Sequence, residues 1–105
     1  MNSKMLPVRY DVEIFREESG LWDRVAKLPI VWPVKNVGRD WFTLWPKQAV
    51  AIGDRETLAT TRCKARELAR SHWVASDGRV KVRIVEVKTN GAQLVIWQNG
   101  EWLDG

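Results

Sequence analysis

Arg79-Val80-Lys81-Val82-Arg83-Ile84-Val85-Glu86-Val87, followed by Thr89-Asn90-Gly91 and then Gln93-Leu94-Val95-Ile96-Trp97, is the run of sequence that decides the fold class. β-Branched residues dominate both halves, as a pleated backbone favours. The Asn-Gly pair between them matches the tight primed turn of a β-hairpin. The alternation of the first half breaks between Ile84 and Val85, which predicts either a bulge or a stretch buried on both faces. A second pair, Asn99-Gly100, precedes Glu101-Trp102-Leu103 and predicts one more short strand or turn.

Working outward, the nearest element upstream is a helix from Thr60 or Thr61 to about Trp73, with a threonine as the N-cap. At about 100° per residue, Leu58 (if the helix reaches it), Ala65, Leu68, Ala69 and His72 share one face, with Arg66, Glu67 and Arg70 outside it. Ala65 and Ala69 are small enough to let the helix lie close against a sheet, and Ser76-Asp77-Gly78 supplies a turn after it.

At the other end, Tyr10, Val12 and Ile14 alternate with Asp11 and Glu13, the period of a half-buried strand. Glu17-Glu18-Ser19-Gly20 turns the chain and Leu21 to Ala26 returns as a second strand. Between this hairpin and the helix, Pro29, Pro33 and Pro46 argue against continuous regular structure. The expectation is a single domain over 1–105 with an irregular insert at about 29–53 that carries Trp32, Trp41 and Trp45. The order β-β-insert-α-β-β predicts an α+β fold, an antiparallel sheet of about four strands with one main helix packed on one face. The second sheet face is then solvated, covered by the insert, or used for binding.

Composition narrows the function. A chain of 105 residues, 45% hydrophobic and 29% charged, is an ordinary globular domain with enough length for one core. The single cysteine, Cys63, forbids an internal disulfide and fits a reducing, cytoplasmic setting. No stretch resembles a signal peptide or a membrane span, so no membrane association is expected. The net charge is +4, and between Arg62 and Arg83 seven basic residues face only Glu67 and Asp77. Such an excess steers a domain toward polyanions or forms a solvated face.

Catalytic and cofactor motifs are missing. One cysteine and one histidine cannot build a structural zinc site, and no glycine-rich phosphate loop occurs. Cys63 and His72 are nine residues apart, which sets them about 180° apart round a helix, so they are not a nucleophile pair. Asp11 and Glu13 read as solvated carboxylates. No enzyme, metal or cofactor is expected.

Seven of the ten aromatic residues are tryptophan. Trp22, Trp73 and Trp97 fall where regular elements need apolar bulk and are expected in the core. Trp32, Trp41, Trp45 and Trp102 are the candidate anchors for a protein partner. Arg66 and Arg70 form a ridge one helical turn apart with Arg62 at its edge, and Lys81 and Arg83 share one strand face. If contiguous, these five could track a phosphate backbone with aromatic rings free to stack on bases.

The hairpin from Tyr10-Asp11-Val12-Glu13-Ile14 to Leu21-Trp22, the helix at Ala65-Arg66-Glu67-Leu68-Ala69 and the strands Val82 to Val87 and Val95-Ile96-Trp97 together resemble a class of small phage and mobile-element proteins. In size and helix-on-sheet build the chain is similar to some anti-CRISPR proteins, which occupy a nucleoprotein surface without catalysis. The resemblance implies a non-enzymatic protein-binding module that inhibits a host nucleoprotein complex. The alternative is direct nucleic-acid binding through Arg62, Arg66, Arg70, Lys81 and Arg83. Uncovered sheet edges also leave a homodimer open.

Overall fold

The computed structural model describes residues 6–30 and 55–103. Strands β1 (Pro7–Arg16) and β2 (Leu21–Pro29) precede helix α1 (Arg55–Ala75), and β3 (Val82–Lys88), β4 (Gln93–Gln98) and β5 (Glu101–Trp102) follow it. The strands form one antiparallel sheet in the order β2-β1-β3-β4-β5, with α1 against β1, β3 and β2. This is the expected α+β fold, with a fifth strand. The expected insert lies outside the described residues apart from Ile30, which is buried in the core cluster, and Pro29, which ends β2 on the sheet edge, where a missing N–H is tolerated.

Alternation assigns the two sheet faces. Tyr10 and Val12 on β1 and Val82 and Ile84 on β3 are fully buried in one core cluster with Ile96, Trp97, Ala65 and Ala69. Ile14, Leu28 and Leu58 pack against that cluster. Val85 and Val87 point to the other face and are also buried. The break read between Ile84 and Val85 therefore has both expected forms: the β3–β4 register shifts there and the stretch is buried on both sides.

Helix α1 begins earlier than its threonines indicated. Thr61 is not the N-cap: its hydroxyl sits inside the helix and donates to the Thr57 carbonyl at 2.9 Å. Its apolar line also differs. Ala65 and Ala69 meet the sheet, but Leu68 is 39% exposed and His72 is exposed. Trp73 has the largest apolar surface on the helix, and burying it turns the core-facing line toward Trp73 and away from Leu68 and His72. The helix then ends where Ser76-Asp77-Gly78 was read as a turn: the Gly78 N–H donates to the Trp73 carbonyl at 3.0 Å and the Asp77 N–H to Val74 at 2.9 Å. That double bond pattern, with Asp77 in the left-handed region (φ 58°), satisfies the last helical carbonyls.

The second Asn-Gly pair leads into a short strand as expected, and it is this pair that forms the primed turn read at the first. At Asn90-Gly91 only the glycine has positive φ (87°), and the Gly91 N–H closes a turn onto the Lys88 carbonyl, so this is not the two-residue primed turn. Asn99 and Gly100 both have positive φ (49° and 98°) and join β4 to β5 directly, which is the primed geometry. Asn99 also clasps β3: its side-chain Oδ1 accepts the Val82 N–H at 2.9 Å while its own N–H donates to the Val82 carbonyl at 3.0 Å.

The alanine contact sets the separation of the two layers. Replacing Ala69, which is fully buried, with leucine is expected to lower stability by about 1–3 kcal/mol through overpacking. The expected result is a lower urea midpoint, whereas an unchanged midpoint would mean that the helix can move away freely.

Candidate functional site

On the flank of α1 that faces β4 and β5, Arg62, Arg66 and Arg70 follow at four-residue intervals, with Trp73 three residues further on. Side chains at this spacing stand one above another, about 6 Å apart along the axis. Opposite them, the Asn99-Gly100 turn sets Trp97 directly across from Trp102. The two lines enclose a cleft of about 310 Å³ lined by Arg66, Arg70, Trp73, Trp97, Gly100 and Trp102. Trp97 is buried as the floor, while Trp73 and Trp102 are half-buried. The Arg62 guanidinium lies 4.4 Å from the centroid of the Trp102 ring, a cation–π contact.

Two glycines hold Trp73. A Cβ added at Gly78 would meet the indole at 3.9 Å, and one added at Gly100 would meet its far edge at 3.3 Å. The ring therefore bridges the turn after the helix and the turn between β4 and β5. Gly100 is needed twice over, for its positive φ and for the space that the ring occupies.

Among the described residues no carboxylate lines this cleft, and none lies within ion-pair distance of Arg66 or Arg70. Two other cavities lined by described residues differ in this respect. One carries Glu17 and Glu18 beside Arg79 and Lys81, the other Glu67 beside Lys64.

The five basic residues grouped in the sequence are divided by the sheet. Arg62, Arg66 and Arg70 belong to the cleft. Arg83 stands across from Glu13 on the far face, donating to its carboxylate at 2.7 Å and lying 4.1 Å from the centroid of the Trp22 ring. The Lys81 ammonium is 5.4 Å from the Phe15 ring, which meets Trp22 edge to face at 5.3 Å. Trp22 is thus half-buried on the face away from the helix and is not a core residue. Alternation along β1 sets Phe15 and Glu13 opposite Val12 and Ile14, and the cross-strand pair Phe15–Trp22 follows from it.

Asp11 and Glu13 are likewise not solvated. The Asp11 side chain is 5% exposed and accepts Arg9 at 3.0 Å, with Arg24 at 3.5 Å. Cys63 is exposed, with Glu67 at 3.9 Å, and His72 is exposed although its spacing groups it with the apolar face of the helix. Among the described residues no group of three or more His, Cys, Asp or Glu side chains is placed to hold a metal ion, and no helix is long and apolar enough to cross a membrane.

Of the candidate partner anchors, Trp32, Trp41 and Trp45 lie outside the described residues, and Trp102 is in the cleft. The sequence reading missed that Trp73, Trp97 and Trp102 converge. The pairing of Trp97 with Trp102 was available from a two-residue turn at Asn99-Gly100, whereas the approach of Trp73 to Gly100 joins elements with no local signal. No family model, curated protein or solved structure matches this chain.

Gly100→Ala is expected to lower stability by about 1–3 kcal/mol, because the alanine is strained at this φ. The added methyl also displaces the Trp73 ring, so near-ultraviolet circular dichroism should change with the unfolding midpoint. A variant with unaltered dichroism would show that the ring does not rest on Gly100.

Proposed function

We propose that this protein is a non-enzymatic binding module that engages nucleic acid through the arginine-tryptophan cleft between α1 and the β4–β5 hairpin. The observation that carries this reading is the cleft itself. Arg66 and Arg70, free of carboxylate partners among the described residues, stand over three tryptophans with a third arginine on the Trp102 ring. Guanidinium groups bind phosphate through a planar fork of donors and remain charged at any physiological pH. Aromatic rings beside them offer stacking surface to bases. Lys81 and Arg83, engaged with Phe15, Trp22 and Glu13 on the far face, are not part of this site.

The reading as a protein-binding inhibitor of a nucleoprotein complex depended on Trp32, Trp41, Trp45 and Trp102. Its one described anchor, Trp102, lies in this cleft, so contact with the nucleic acid of such a complex unites the two readings.

If Arg66 and Arg70 neutralise one phosphate each, they contribute a slope of about −1.4 to the fall of log affinity for a single strand against log salt. Replacing Arg66 and Arg70 with alanine is expected to weaken binding and to flatten that slope by about 1.4. Fluorescence polarisation of a labelled oligonucleotide at several salt concentrations measures both. No binding at low salt, or a slope unchanged in the double variant, would overturn the proposal.

A further inference from the structure

We infer, resting on the reading above, that the cleft selects single-stranded over duplex nucleic acid, admitting one unpaired base against Trp102 and Trp73 while the flanking phosphates lie on Arg66 and Arg70. Three features of the site argue for this. The first is shape. At about 310 Å³ the cleft is at the lower end of the range for small-ligand pockets and suits one ring system. It is walled on one side by the helix and on the other by β5, and the Trp73 ring held at Gly100 lines it as well. A duplex presents its bases stacked on one another and cannot offer a ring face to a recessed tryptophan.

The second is the arrangement of charge. The arginines form one line with a repeat of about 6 Å, a track for a single backbone with the aromatic rings to one side of it. Cations arranged to grip a duplex would need to reach two backbones across a groove. The outward side of α1 does not supply them: it mixes Lys64 with Glu67 and exposes Leu68 and Val74, so the helix is no continuous basic rod for a major groove.

The third is the state of the rings. Trp73 and Trp102 are half-buried, packed against the core cluster without belonging to it, so each keeps part of its surface exposed. Stacking on such a ring is tolerant of base identity. The site is therefore expected to read strandedness and to ignore sequence.

The test compares a short labelled oligothymidylate, an oligoadenylate of equal length and a blunt duplex of the same length. Each is titrated with the full-length protein and with Trp102→Leu, Trp102→Phe and Arg66→Ala/Arg70→Ala, after each variant is shown to fold by circular dichroism. The inference expects both single strands to bind more tightly than the duplex. Trp102→Leu should weaken single-strand binding by about 5- to 150-fold, the range for loss of one stacked base. Trp102→Phe, which keeps a ring, should restore most of it, and the weak duplex binding should not respond to either change.

Equal affinity for duplex and single strand, lost in the arginine variant but indifferent to Trp102→Leu, would overturn this inference and leave the broader reading standing. Absence of binding to all three probes at low salt would overturn both. If Trp102→Leu does not fold, the order of affinities for the three probes and the Trp102→Phe result decide the matter.

Discussion

A helix that meets a sheet through two alanines can come close to it, and that closeness governs where the large side chains on the helix side of the sheet must go. Ala65 and Ala69 leave no room for bulk between α1 and the central strands β1 and β3. The space is filled from the strands, by Tyr10, Val12, Val82 and Ile84. The helix packs chiefly on β1, β3 and β2, and a cleft is left between its flank and the β4–β5 hairpin. Trp73, Trp97 and Trp102 occupy its walls and floor, and the arginines along the same flank of the helix become its rim. Cleft and core thus follow from a single packing choice.

Much of this fold was legible in the sequence because its signals are local. Alternation at Tyr10 to Ile14 placed the first strand and its faces, the break at Ile84-Val85 located the bulge, and Ala65 and Ala69 identified the side of the helix that packs. Errors arose where a distant partner outweighs a local rule. Two threonines look like helix starts, yet Thr61 bonds back to Thr57 inside a longer helix. Leu68 and His72 fit the apolar arc by angle, but the bulk of Trp73 rotates the helix past them.

The site was legible only in part for a related reason. A four-residue spacing on a helix groups Arg62, Arg66 and Arg70 whatever the tertiary fold. Joining them to Lys81 and Arg83 required knowing which sheet face those residues take, and register decides that: Arg83 faces Glu13, on the side away from the helix. Trp22 was misplaced on the same account. A tryptophan in a strand next to apolar neighbours reads as core, but a register shift in the β1–β2 pairing and the pairing with Phe15 put it on the far face under a guanidinium.

That far face has a bearing on how the molecule meets its surroundings. Several of its cations are matched where they stand, Arg9 and Arg24 by Asp11 and Arg83 by Glu13, and at the rim Arg16 by Asp23, while Lys81 lies over the Phe15 ring. Matched pairs project little field beyond their own contact, whereas Arg66 and Arg70 have no such partner among the described residues. Among the described residues, then, Arg9, Arg24 and Arg83 of the far face are paired while Arg66 and Arg70 at the cleft are not. On the reading proposed above, unpaired guanidinium charge at the cleft would help to turn the cleft toward an incoming polyanion, so that orientation is partly resolved during diffusion.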